Sequence, residues 1–185
     1  MGQDRQAALN RAIAIAQSKG IDVRTARFVD KTVYVNFDAK GLGGSYELVD
    51  STTKKERGIT NLDGNVLNKG KYVIIDSFRA LGENTATEFA DAKWRDELHP
   101  RLKNCDLSLV QRGVLIDDMP LTDVQNSGNS SSNDDDFRVL ATAPCIEPEL
   151  EYRMTLNFVK GQGVPSSVTS ALTRLEFRIF EVFTA

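Results

Sequence analysis

The spacing of apolar residues changes from a helical period to a strand period near residue 20. Between Asp4 and Lys19, Leu9, Ile13 and Ala16 recur at i, i+4 and i+7, with Ala12 on the same stripe. That is the spacing of one helix face. Asp4 stands where an N-cap is wanted, and Gly20 where a left-handed residue ends the helix. Ala8 and Ile15 widen the apolar surface, which calls for a flat partner: the chain's own sheet or a neighbouring subunit. In the second case Leu9, Ile13 and Ala16 are the expected subunit contacts.

Beyond Gly20, residues 22–29 and 32–37 predict a hairpin turning at Asp30-Lys31. In its second arm Val33, Val35 and Phe37 alternate with Thr32, Tyr34 and Asn36. Residues 41–44, GLGG, interrupt the pattern before a short strand at Ser45 to Leu48. Tyr72 to Phe78 starts apolar on both faces, as a covered central strand does. Thr85 and Glu88 then have the spacing of a capping box, with Ala86, Phe89, Ala90, Lys93, Trp94 and Glu97 at helical positions before Pro100. This predicts an inserted helix over 85–98.

From Cys105 the chain reads as β again. Residues 105–110 and 114–119 form a hairpin pattern around Gln111-Arg112-Gly113, followed by a polar loop over 123–136 and a short strand at 137–141. Tyr152, Met154, Leu156 and Phe158 alternate with polar neighbours, and Leu175, Phe177, Ile179, Glu181 and Phe183 share one face of a terminal strand. The sum is a mainly β fold of roughly eight to ten strands, a jelly-roll or Greek-key β-sandwich with an N-terminal helix and one inserted helix. The expected division is a helical arm over 1–20 and a sandwich domain over 21–185, a length suited to one core.

Charge and composition narrow the function. A net charge of −3 and a pI near 5.3 give no basic footprint for duplex binding. No segment reaches the roughly 20 apolar residues of a membrane span. The first helix carries polar residues throughout and so lacks the uninterrupted apolar core of a signal peptide, and Gln6 stands where myristoylation wants Ser or Thr. A cytosolic origin with two free thiols, Cys105 and Cys145, is the expectation.

Candidate chemistry is sparse. His99, the single histidine, precedes Pro100 and reads as a solvent-facing or capping imidazole. A Cys105–His99 pair would lack an orienting third group. The GLGG stretch lacks a following helix and a P-loop lysine, so it reads as a strand connection and not a phosphate cradle. Asp117, Asp118 and Asp134–Asp136 could gather oxygen ligands for calcium, but without EF-hand spacing they read as solvated loops. Arg174 and Arg178 flank Glu176 on one strand face, a pattern of cross-strand ion pairing. The expectation is a protein that is not an enzyme, with no cofactor, no metal and no catalytic residues.

The order of the C-terminal elements carries a resemblance. The hairpin CDLSLVQRGVLIDDMPL leads through a polar loop and the PCIEP turn to EYRMTLNF, a Gly/Pro loop and the terminal strand LEFRIFEVFTA. Residues 72–183 thus resemble the jelly-roll structural proteins of bacteriophage virions, by strand order and loop character. The resemblance implies a capsid-forming or capsid-associated subunit that binds copies of itself and other virion proteins. It also implies synthesis in a bacterial host's cytoplasm, and it assigns no functional residue. The alternative is a carbohydrate- or ligand-binding sandwich module, with Trp94 or Tyr46 as an aromatic platform unless Trp94 packs into the core with Phe89.

Overall fold

The computed structural model describes residues 5–124 and 137–184. In chain order the elements are α1 (Arg5–Ser18), β1 (Arg27–Asp38), β2 (Ser45–Val49), β3 (Lys71–Glu83), α2 (Pro100–Lys103), β4 (Asp106–Gln111), β5 (Gly113–Pro120), β6 (Arg138–Val139), β7 (Cys145–Ile146), β8 (Arg153–Asn157) and β9 (Leu172–Phe183). The chain is mainly β and forms two antiparallel sheets. One has the order β1-β9-β3-β6, with β7 also on β3; the other has β2-β8-β4-β5.

The pairings nest. β4 pairs with β5, β3 with β6 and β7, β2 with β8, and β1 with β9. The first and last strands therefore lie side by side. β9 sits between β1 and β3 and is hydrogen-bonded along its length on both edges. A chain end held this way is integral to the fold.

Alternation explains what lies between the sheets. Val33, Val35 and Phe37 from β1 and Leu175, Phe177 and Ile179 from β9 point inward and meet Leu107, Leu109, Met154 and Leu156 of the facing sheet. Phe78 and Phe177, opposite each other in register, stack with ring centroids 5.3 Å apart at 18°. Offset stacking adds about 1 kcal/mol to the burial of two such rings.

α1 lies on the outer face of the first sheet. Its buried residues are Ala8, Ala12 and Ala16, packed on Ile74, Phe180 and Val182. Alanines four residues apart let the helix backbone come close to the strands. Gly20, at φ +77°, ends the helix, with Gly20 N–H donating to Gln17 O and Ile21 N–H to Ala16 O. This is the two-bond closure of a Schellman motif. The expected cap at Asp4 lies outside the described residues.

Two sequence expectations are corrected. No hairpin turns at Asp30-Lys31; β1 runs unbroken through both, because the whole segment finds a twelve-residue partner in β9. The inserted helix over 85–98 does not form either. That segment holds only a 3₁₀ turn, Phe89–Asp91, and Trp94 sits at φ +53°. The reason is Glu83, the last residue of β3. Its carboxylate accepts from Thr85 Oγ1 at 2.6 Å and from the backbone N–H groups of Thr85, Ala86 and Lys93 at 2.8, 3.0 and 3.0 Å. One buried carboxylate thus takes the free donors that a helix would have needed, and holds the segment as a loop. A second tie is the bridge between Gly82 and Asp96.

Candidate functional site

The inner face of the first sheet outruns the second. β1, β3 and β9 have 12 or 13 residues, whereas β8 has five. At about 3.3 Å per residue the long strands are about 25 Å longer than β8. The overhang is covered by irregular chain, including Leu62 and Leu67, which pack against the core. A cavity of about 230 Å³ is left there. Its walls include Val33, Ile75, Phe177 and Ile179 from the long strands, Ile146 from β7 and Met154 from β8.

Its rim is charged. Lys31, Lys71 and Glu181 follow Val33, Val73 and Ile179 at the next positions of the same parity on β1, β3 and β9. Lys31 Nζ donates to Glu181 Oε1 at 2.9 Å, and Lys71 Nζ lies 2.9 Å from the same oxygen. Burial pushes the Glu181 carboxyl up, but the hydrogen bonds and charges of the two lysines outweigh it and hold it below the ordinary glutamate value. Two ammonium groups therefore face one carboxylate. Lys55 and Asp63 also line the cavity and add one charge of each sign. Tyr152 lines the cavity too, and its hydroxyl donates to Gly64 O at 3.1 Å.

The residues singled out by sequence are scattered. His99 caps α2, its Nδ1 accepting from the Arg101 N–H at 3.2 Å, and burial with the nearby Arg101 charge lowers its pKa. The Cys105 thiol donates to Arg101 O at 3.2 Å, and burial pushes it up to about 12, so it is no poised nucleophile. The GLGG segment packs backbone to backbone on residues 161–164: Gly41 N–H donates to Val164 O, and Val164 N–H to Leu42 O. A Cβ on Gly163 would collide with Leu42 O, so these glycines permit a close approach.

Asp117 and Asp118 are exposed on β5, where Asp118 accepts from Ser108 Oγ at 2.9 Å. Asp134–Asp136 lie outside the described residues. Among the described residues no three His, Cys, Asp or Glu side chains converge as a metal site. Arg174 and Arg79 both bond to Glu176, at 2.5 and 2.7 Å, and Arg174 also lies over the rings of Tyr34 and Trp94. Trp94 is half-buried and stacked on Phe89, while Tyr46 packs against the core beside Phe37. Of the helix residues named as subunit contacts, Ala16 is 0% exposed against the chain's own sheet. Leu9 packs at the margin of that cluster, and Ile13 is half-buried outside it.

Sequence reasoning missed the cavity rim. The signal was present: Glu181 falls on the parity of Leu175, Phe177 and Ile179, and Lys31 on that of Val33, Val35 and Phe37. A charge at an apolar position marks the point where a buried face meets water. No described helix is long and apolar enough to cross a membrane. No family model, curated protein or solved structure matches the chain.

Proposed function

We propose that this chain is a structural subunit of a bacteriophage virion, capsid-forming or capsid-associated, that works by self-association on a jelly-roll framework. The observation that supports this reading is the nested pairing. With β6 and β7 sharing one place, the nine strands fill eight places, and early and late strands interleave in both sheets. We read that order as a long hairpin rolled into two sheets, the double Greek key that viral capsid domains share with lectins and cupins. One fold serves many roles, so the test must read assembly itself.

Two surfaces suit contacts between copies. Ile13 and Leu9 keep exposed area on α1. On the edge hairpin, Val110 and Val114 face each other across the strands and are 40% and 61% exposed. Apolar residues on an edge strand invite pairing with another chain.

The test is mass by light scattering over a concentration series, for the full chain and for Ile13→Asp and Val114→Asp. Oligomers that fall apart in either variant, with the circular dichroism spectrum unchanged, are the expected result. A chain that stays monomeric at every concentration and ionic strength overturns self-association. A second reading, a ligand-binding sandwich module, is favoured by the cavity beneath the Lys31–Glu181–Lys71 row.

A further inference from the structure

We infer that the cavity between the sheets binds a linear alkyl chain bearing a singly charged anionic head, with the tail inside and the head at Lys31 and Lys71. The inference rests on the ligand-binding reading and is independent of assembly.

Size sets the tail. An apolar cavity of 150 Å³ holds benzene, so about 230 Å³, part of it walled by the charged rim, has room for a head group and a tail of roughly eight carbons at most. The wall chemistry fits an alkyl chain: Val33, Ile75, Ile146, Met154, Phe177 and Ile179 are aliphatic, aromatic or thioether groups, and all are buried. Met154 is unbranched and can adjust its rotamer to a chain of varying shape.

Charge sets the head. Glu181 is ionised at neutral pH, so the three-residue row carries one unit of positive charge in excess. Each ammonium has three donors and gives one to Glu181, which leaves capacity for a second acceptor. A single anionic head neutralises the row; a cationic head would be repelled, and an uncharged one would leave the excess in place. The lysines stand at the end of the apolar walls, where a head group would lie if its tail occupied the cavity. Carboxylate and alkyl sulfate heads share this chemistry, each with a single negative charge, and the carboxylate is the simplest probe.

The sequence supplies a reporter. Of the described methionines, Met119 and Met154, only Met154 lines the cavity. The full chain labelled with ¹³C at the methionine methyls is titrated with sodium octanoate, and in parallel with octanol and octylamine. The expected result is a saturable shift of the Met154 resonance with octanoate, Met119 unmoved, and at least tenfold weaker binding of octanol. Lys71→Met should weaken octanoate about tenfold, the worth of one charge-assisted hydrogen bond.

If octanol and octanoate bind equally, the anionic class is overturned and the ligand-binding reading survives. If no ligand moves Met154, both fall. The wild-type titration decides these outcomes even if Lys71→Met does not fold.

Discussion

The guanidinium of Arg11 on α1 is hydrogen-bonded to Asp76, a carboxylate on the neighbouring strand that is only 2% exposed. Arg5 Nη1 approaches the same carboxylate at 3.8 Å, while Arg5 Nη2 and Nε pair with Asp30. Asp76 lies at a bulge in β3, the extra residue between Ile75 and Ser77 in the register with β9. The bulge sets a charged group beneath a helix that otherwise holds the sheet through three buried alanines and the partly buried Leu9 and Ile15. Each alanine methyl contributes only about 0.8 kcal/mol, so the ionic tie adds to a modest apolar contact.

Asp76→Ala is therefore expected to cost about 3 kcal/mol, since it strands arginine charge at a partly buried site. Amide hydrogen exchange should show the loss concentrated in α1, with β9 protection falling less. Uniform loss across both sheets would mean that the helix and the sandwich unfold as one unit.

Glu83 makes stability depend on acid. Its side-chain hydrogen bond from Thr85, joined by backbone donors of Lys93, Ala86 and Thr85, holds its pKa at about 2, against 4.5 ordinarily. A depressed carboxyl gives stability that is complete above the unfolded value and is lost as pH falls from about 4.5 toward 2. Glu83→Gln should cost about 2 kcal/mol at pH 7. The gap between variant and wild type, read from urea midpoints, should narrow as the pH approaches 2. A gap that does not change with pH would assign the cost to packing.

Both thiols should be inert in the native protein. Burial pushes Cys105 up to about 12 and Cys145 up to about 11. Thiolate is the reactive form, so neither should react with a thiol-disulfide reagent at pH 8 until the chain opens. Labelling rates that track urea unfolding are expected, whereas fast stoichiometric labelling without denaturant would show that one thiol is reached by local opening.

Gly163→Ala tests the glycine contact. Its Cβ would run into Leu42 O and come 2.9 Å from Gly43 Cα, where backbone on both sides must move. A loss of about 2 kcal/mol is expected, read as a lowered midpoint. A neutral result would mean that residues 40–44 and 161–164 separate easily.

Much of the fold was legible because strand alternation and helix period are local. The α1 period, the closure at Gly20, the β4–β5 hairpin and the inward parity of β9 all follow from residues within one element. Long pairings were not local. The Asp30-Lys31 turn looked credible only while β1 had no known partner; β9, some 150 positions away, offers a straight edge that makes turning unnecessary. The capping box at Thr85 and Glu88 was a sound local pattern, defeated when Glu83 took the Thr85 hydroxyl and the neighbouring N–H groups.

The candidate site divides the same way. Its three charges stand in the sequence at positions of apolar parity, but they lie at 31, 71 and 181, and only the packing of β9 between β1 and β3 brings them to one oxygen. The cavity beneath them comes from unequal strand lengths in two sheets, a quantity that no single segment carries. By itself the sequence determined periodicity, the inward faces and the helix end, because these depend on neighbours a few residues apart. The tertiary structure decided register, the fate of the 85–98 segment and the charged rim, because these depend on which distant groups compete for the same hydrogen bonds and the same buried space.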